Sequence, residues 1–354
     1  MANIRQNINR IILNNKILTL QHRIEAFAKL GEYLQSNDFE NSPFLFSVAQ
    51  RNPWYTKENV LQQTKAIGSN LQVDKLQAWL KDFPEIKTDK VVGLVLAGNL
   101  PLVGFHDILS VLITGFHAEI KASSEDAGLT KAILDILVAI EPEFSNYFKI
   151  VDKLMDYDLI IATGSNNSSR YFEHYFGKKP HIIRKNRNSV AVISGNETNE
   201  ELQQLGHDIF DYFGLGCRSV SKIFIPENYD IAKLYEPLEH FAGIKDHFKY
   251  NNNYDFNKSI YLINKNEHYD NGFLLLKDDE NLASPLAVIH YQRYKDIQEV
   301  ESFIQSHLNE IQCVTAERDL NVDAAVFPFG ASQCPALDDY ADAVDTLAFL
   351  KANQ

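Results

Sequence analysis

The sequence predicts an α/β protein of two lobes, a Rossmann-like parallel layer and a second α/β layer, and three observations carry that prediction. The chain has 354 residues, near the size at which a single hydrophobic core stops growing and chains divide. Its 45% hydrophobic and 23% charged residues suit a large buried core and exclude disorder as the main state. Beyond residue 90, short apolar runs alternate with amphipathic stretches, the order that gives parallel strands joined by helical crossovers.

The elements follow in order. From Leu18 to Leu80 the period is helical: in LQHRIEAFAKLGEYL, Ile24, Phe27, Leu30 and Leu34 share one stripe with charges opposite. Strands are expected at Lys90–Gly98, His117–Ser123, Phe148–Asp152 and Asp158–Gly164, with helices over Pro101–Ile113, Glu125–Ile140 and Asn166–Phe176 and a short stretch at Met155–Tyr157. A second αβ segment opens with a strand at Ser189–Gly195, a helix over Asn199–Phe213 and a strand at Ser221–Pro226. Later strands are expected at Gly272–Asp278, Pro285–Gln292 and Ile311–Glu317, and the segment from Asn251 to Asn266 reads as merely rich in asparagine. With a boundary near Asn188 and a return near Phe327, residues 1–188 and 327–354 form the Rossmann-like lobe and 189–326 the second lobe.

Composition limits function. Lys plus Arg is 34 against 47 for Asp plus Glu, a net charge of −13, the opposite field to that of a nucleic-acid binder. Any phosphate site must be built locally, from backbone N–H groups and a few cations. Cys217, Cys313 and Cys334 lie far apart and show no metal-ligand spacing, so neither a zinc site nor a disulfide framework is expected, and a reducing, cytoplasmic setting fits. No signal peptide is expected at the start. The most lipid-like stretch, Val91 to Ile120, is interrupted by Asn99, Pro101, His106, Asp107 and His117 and is read as buried strand, turn and helix, not a membrane span.

Four places could carry chemistry. The predicted helix ending at Phe213 stops at Gly214, and Gly214 and Gly216 permit a tight turn that presents Cys217 beside Arg218 and near Lys222. Cations and N–H groups lower a thiol's pKa and the thiolate is the nucleophile, a buried structural cysteine being the other reading. For Cys313, inside an apolar strand, and Cys334, in an irregular tail, a structural role is expected. Asn99 follows an apolar strand and precedes Pro101, the expected first position of a helix, where an amide can donate to an oxyanion or simply cap a turn. Lys121 ends a second strand, and Thr163, Gly164 and Ser165 end a third before a helix, where cation, hydroxyl and N–H groups could hold a ribose or phosphate. His207 and Asp211 read as an i,i+4 surface pair, Arg184, Lys185 and Arg187 as either a phosphate contact or a solvated cluster, and Asp338, Asp339, Asp342 and Asp345 as a segment closing the first lobe.

In order and spacing, GLGCRSVSKIFIP, CPALDDYADAVDTLAFL, LAGNLPLVG, KASSED and ATGSNNSS resemble the aldehyde dehydrogenase superfamily, and within it the LuxC-type acyl-CoA reductases, from about Val91 to Leu350. The resemblance implies an aldehyde dehydrogenase-like fold whose cofactor lobe and catalytic lobe meet at a cleft. It implies Cys217 as the acyl-accepting nucleophile and Asn99, with the Cys217 N–H, as the oxyanion hole. Lys121 matches the family lysine that holds the adenosine ribose, and Thr163, Gly164 and Ser165 match the turn under pyrophosphate and nicotinamide. Ser124 stands where relatives that use NAD usually carry a ribose-binding glutamate, with Glu125 next, so NADPH is the expected cofactor and NADH the alternative.

Two departures sharpen the reading. The glutamate base of hydrolytic relatives lies in a Glu-Leu-Gly-Gly motif, and the stretch here is IIRKNRNSVAV, with no carboxylate to activate water. The second ribose-binding glutamate is missing before SPLAVIHY, Glu280 being near but out of register. The resemblance therefore implies NADPH-dependent reduction of an acyl thioester, an acyl-CoA or acyl-protein, to the aldehyde. The alternatives are a CoA-acylating aldehyde dehydrogenase working oxidatively and a cysteine-based acyl transferase without hydride transfer. A homodimer and an acyl transferase or synthetase partner are expected, and no metal.

Overall fold

The computed structural model of the chain describes residues 17–354. They divide into two compact units, one running to Lys185 and including Val344–Gln354, the other Asn186–Ala343. The chain thus returns to the first unit at Val344, not near Phe327. The reason is local: Val326–Phe327 is itself a strand, laid parallel on Val314 and Thr315 of the second sheet.

The first unit opens with helices α1 (Leu20–Leu34), α2 (Asn37–Glu40), α3 (Phe44–Arg51), α4 (Lys57–Asn70) and α5 (Val73–Trp79). Thr19 caps α1 by accepting from the His22 N–H, and the stripe Ile24, Phe27, Leu30 and Leu34 is buried. Strands β1 (Val91–Val95), β2 (His117–Lys121), β3 (Phe148–Ile150), β4 (Leu159–Thr163) and β5 (His181–Arg184) follow, with helices α6 (Phe105–Thr114), α7 (Leu129–Ile140) and α8 (Asn166–Phe176) between them. The sheet order is β3-β2-β1-β4-β5 and every pairing is parallel. Val95 is level with Lys121 on one side and Ala162 on the other. The strand order reverses at β1, so the loops after β1 and β4 flank the switch point where doubly wound sheets bind ligands.

Several expectations change here. The helix after β1 starts at Phe105, four residues past Pro101, because Pro101–Gly104 form turns and Leu102 takes a left-handed backbone (φ 54°). After β2 comes a short 3₁₀ turn, Ser124–Asp126, broken from α7 by left-handed Ala127 and Gly128. Met155–Tyr157 forms no element; buried Glu119 accepts the Met155 N–H (2.9 Å) and holds it as a loop. β5 carries two isoleucines between His181 and Arg184, too short an apolar run to be read as a strand, and it forms by pairing with β4.

The second unit comprises β6 (Asn188–Val192), α9 (Asn199–Phe210), β7 (Val220–Pro226), α10 (Ala232–Leu238), α11 (Phe248–Asn264), β8 (Tyr269–Asp270), β9 (Leu275–Asp278), β10 (Val288–Tyr294), α12 (Ile297–Ser306), β11 (Ile311–Ala316) and β12 (Val326–Phe327). Its sheet order is β12-β11-β6-β7-β10-β9-β8, parallel except for β8 against β9. Side chains alternate as the pleat requires: Val190, Val192 and Phe224 enter one core, Ala191, Ile193, Ile223 and Ile225 the other.

Helix α9 ends at Phe210, three residues short of Phe213, because Tyr212 and Phe213 sit in the left-handed region (φ 53° and 61°) ahead of Gly214 (φ 73°). The asparagine-rich segment is helix α11. It buries Tyr250, Tyr254, Asn257 and Tyr261, a helical stripe made of phenols and an amide instead of aliphatic residues. No helix among the described residues is long and apolar enough to cross a membrane.

Candidate active site

The site residues fall into two groups, one in each unit. In the first unit Asn99 lies exposed in the loop between β1 and α6. Two glycines let that loop pack tightly: a Cβ on Gly98 would stand 2.6 Å from Ser123, and one on Gly104 would stand 2.7 Å from Leu96. The Tyr55 hydroxyl lies 2.9 Å from the Gly98 carbonyl and 2.8 Å from that of Leu100. Lys121 ends β2 and is exposed, and its ammonium has no hydrogen-bond or ion-pair partner among the described residues. Ser124 is exposed at the start of the 3₁₀ turn, which Ser123 caps by accepting from the Glu125 N–H at 3.2 Å.

At the end of β4, Thr163 is half-buried and the Gly164 N–H donates to the Arg184 carbonyl (3.3 Å). A Cβ on Gly164 would meet Phe172 at 2.8 Å and Ser168 at 2.9 Å, so only glycine leaves that turn open. Ser165 is the N-cap of α8 and accepts from the Ser168 N–H (3.1 Å). Its hydroxyl oxygen accepts there and lies 3.0 Å from the Ser168 hydroxyl, and the first turn of α8 adds backbone N–H groups that can face a ligand.

In the second unit Cys217 lies in the loop ahead of β7 and is partly exposed, whereas Cys313 is buried and Cys334 exposed; all are free thiols. The Cys217 carbonyl accepts from the Ser189 hydroxyl (2.9 Å), whose oxygen is also 3.1 Å from the Cys313 sulfur. A hydroxyl has one proton. With that proton on the Cys217 carbonyl, the Cys313 S–H is the donor to Ser189, and burial, pushing the Cys313 thiol up to about 12, keeps it protonated. The Gly216 N–H donates to the Ser219 hydroxyl (3.2 Å), which also accepts from Gln333 (3.4 Å).

The far wall of the loop is the segment from Phe329 to Asp339. Buried Asp208 on α9 accepts from the Gly330 N–H (2.8 Å), the Ser332 N–H (3.1 Å) and the Ser332 hydroxyl (2.6 Å). That hydroxyl is 3.1 Å from the Arg218 carbonyl. The Arg218 guanidinium pairs with Asp339 at 2.9 Å and lies over the Phe327 ring. The acidic tail is thus divided: Asp339 and Asp342 pair with Arg218 and Arg187 inside the second unit, while Asp345 caps the C-terminal helix Thr346–Ala352 of the first.

The cations expected around Cys217 have other partners. Asp339 balances Arg218. Lys222 is fully buried and donates to the Asp279 carbonyl (2.6 Å), and burial lowers its ammonium to about 8. The basic trio is not a solvated cluster. Arg184 is buried against Asp107 (2.6 Å) and donates to Thr346 (3.1 Å), and Lys185 pairs with Glu173 at the surface (2.9 Å). His207 and Asp211 form the expected pair at 3.1 Å. Glu280 is exposed. Sequence reasoning missed Tyr55, Ser189, Asp208 and Ser332, polar residues whose partners lie tens of residues away; Ser189 opens the apolar run SVAVI, and the other three carry no local signal.

The acyl-CoA reductase (LuxC) family matches residues 48–242, a span that holds Asn99, Lys121, Ser124, Thr163, Gly164, Ser165 and Cys217. No curated protein matches the chain by sequence. Among solved structures, the chain is similar to the aldehyde dehydrogenase KauB from Pseudomonas aeruginosa, with a TM-score of 0.65 at 13% identity over 88% of this chain and 76% of that one. NADP-dependent glyceraldehyde-3-phosphate dehydrogenase from Bacillus halodurans C-125 gives 0.65 at 14% identity over 88% and 79%. Betaine aldehyde dehydrogenase from Staphylococcus aureus gives 0.62 at 12% identity over 87% and 75%. Identities this low speak for the fold: an aldehyde dehydrogenase-like α/β architecture.

Proposed function

The chain belongs to the acyl-CoA reductase (LuxC) family, and on that premise we propose that it reduces an acyl thioester to the aldehyde through an acyl-cysteine on Cys217, with NADPH as reductant. The observation that carries this is the partly exposed Cys217 thiol on a loop fixed from both sides, by Ser189 and by the Ser332–Asp339 segment. A nucleophile needs access and a fixed attack direction, and both are met without the thiol being sunk in the apolar core.

The Cys217 thiolate attacks the thioester carbonyl, and the carbonyl π-electrons move to oxygen, where the Asn99 amide and the Cys217 N–H stabilise the negative charge. The oxyanion collapses, the bond to the departing sulfur breaks, and that thiolate leaves to take a proton. A nicotinamide cofactor, when bound, supplies the hydride that reduces the acyl carbon. Cys217 then holds the thiohemiacetal as its oxyanion, which collapses to the aldehyde as the carbon–sulfur bond breaks and its electron pair returns to the Cys217 sulfur.

The residues present suit such a cofactor: an unpaired Lys121 ammonium at the end of β2, a turn at Gly164 that no Cβ can fill, and a helix N-terminus after β4. Ser124 offers an uncharged hydroxyl where a carboxylate would repel a 2′-phosphate, which favours NADPH. The stretch Ile182–Val192 carries no carboxylate to activate water, so the acyl group is exchanged or reduced, not hydrolysed.

The test reads two signals together. On incubation with acyl-CoAs of graded length, the protein gains the acyl mass on Cys217 and consumes NADPH, and Cys217→Ala loses both. Aldehyde formation by Cys217→Ala would overturn the assignment.

A further inference from the structure

Tyr55 is fully buried in the turn between α3 and α4, remote in sequence from every residue assigned above. Its hydroxyl reaches the carbonyls of Gly98 (2.9 Å) and Leu100 (2.8 Å), the residues on either side of Asn99. The Gly98 carbonyl belongs to the peptide plane that leads into Asn99, and the Leu100 carbonyl to the plane that joins Leu100 to Pro101. A hydroxyl shared between them restrains the backbone both before and after Asn99, and with it the direction of the Asn99 side chain. The rest of the loop is equally confined, by Ser123 against Gly98, by Leu96 against Gly104 and by the left-handed backbone at Leu102. Such strain persists only where surroundings hold it, and the Tyr55 hydroxyl grips the loop two residues before Leu102.

We propose that Tyr55 is a positioning residue for the reaction: its hydroxyl holds the loop so that Asn99 is presented to the oxyanion rather than left to sample other directions. The proposal rests on the oxyanion role assigned to Asn99. A donor stabilises developing charge fully only if it is already aimed when the charge appears. Burial pushes the Tyr55 phenol above its usual value, so it remains a donor throughout the working pH range.

The same turn also grips the neighbouring loop. Asn52 donates to the Glu125 carbonyl (2.8 Å) and Arg51 to that of Ala127 (3.0 Å). These contacts hold the Ser124 turn directly, and NADPH affinity reads that turn apart from acylation, which reads Asn99.

The test is a double-mutant cycle with Tyr55→Phe and Asn99→Ala, read as the rate at which Cys217 gains the acyl group from acyl-CoA without NADPH. Asn99→Ala is expected to slow acylation about a hundredfold to a thousandfold. Tyr55→Phe keeps the ring and removes the hydroxyl. It is expected to slow acylation at least about tenfold with NADPH affinity unchanged, and to cost nothing further in the Asn99→Ala background. Equal slowing in both backgrounds, or none in either, overturns the role of Tyr55 while leaving that of Asn99 intact. Unchanged acylation in Asn99→Ala overturns the oxyanion assignment and the proposal with it.

Discussion

At the scale of single residues, function rests on groups held by neighbours that sequence spacing does not disclose. Cys217 was legible because glycines on either side of Leu215 mark a tight turn, but its anchors, Ser189 and Ser332, were not. Of the cations invoked for it, Arg218 does interact electrostatically with Cys217 while pairing with Asp339, whereas Lys222 is taken up by the Asp279 carbonyl. Ser165, expected as a ligand donor, also caps its own helix by accepting from the Ser168 N–H. Ser124 gives the sharpest residue-scale prediction. Ser124→Glu should lower the preference for NADPH over NADH by at least about tenfold, since a carboxylate repels a 2′-phosphate and accepts from ribose hydroxyls. Comparing kcat/KM with the two cofactors measures it, and an unchanged ratio removes Ser124 from the cofactor site.

At the scale of elements, long periodic segments were readable and their ends were not. Helix α8 matches its expected span, Asn166–Phe176, because Ser165 caps it and an amphipathic pattern fills it. Helix α9 stops early because Tyr212 and Phe213 adopt left-handed backbone, which costs roughly 1–2 kcal/mol per residue and is invisible in an apolar pattern. Helix α11 was missed because phenols and an amide, not aliphatic residues, form its buried stripe. One surface pair on α9 gives a pH prediction. The hydrogen bond to Asp211 raises the His207 pKa, so its stabilisation is full below about pH 6.5 and is lost as pH rises through the raised value. His207 is 42% exposed and Asp211 only 15%, so solvent screens the pair in part. His207→Gln should therefore destabilise by about 0.3–0.5 kcal/mol near pH 5.5 and hardly at all near pH 8.5, measured by thermal unfolding at each pH. Equal effects at both would show that charge is not involved.

At the scale of the whole molecule, the first unit is closed by mid-chain residues meeting the C-terminal helix. Arg184, at the end of β5, pairs with Asp107 on α6 and donates to Thr346 at the start of the C-terminal helix, with both members of the ion pair buried. Removing one partner leaves an uncompensated buried charge, so Asp107→Ala should cost about 3–5 kcal/mol in urea unfolding. Lys185→Ala, which breaks a half-exposed pair with Glu173, should cost less than about 1 kcal/mol. Comparable costs for the two would contradict the burial argument. By itself the sequence determined the alternation of strands and helices, the two-layer architecture, the Cys217 turn, the strand ends that carry Lys121 and Thr163 and the loop that carries Asn99, because periodicity and turn chemistry act within about ten residues. Only the tertiary structure decided that Val326–Phe327 joins the second sheet, that Arg184 is buried instead of solvated, and that Tyr55 and Ser189 fix loops far along the chain. Those outcomes depend on which polar group is nearest once the chain has packed, and a buried hydrogen bond or ion pair is set by proximity in space, for which distance along the sequence is no guide.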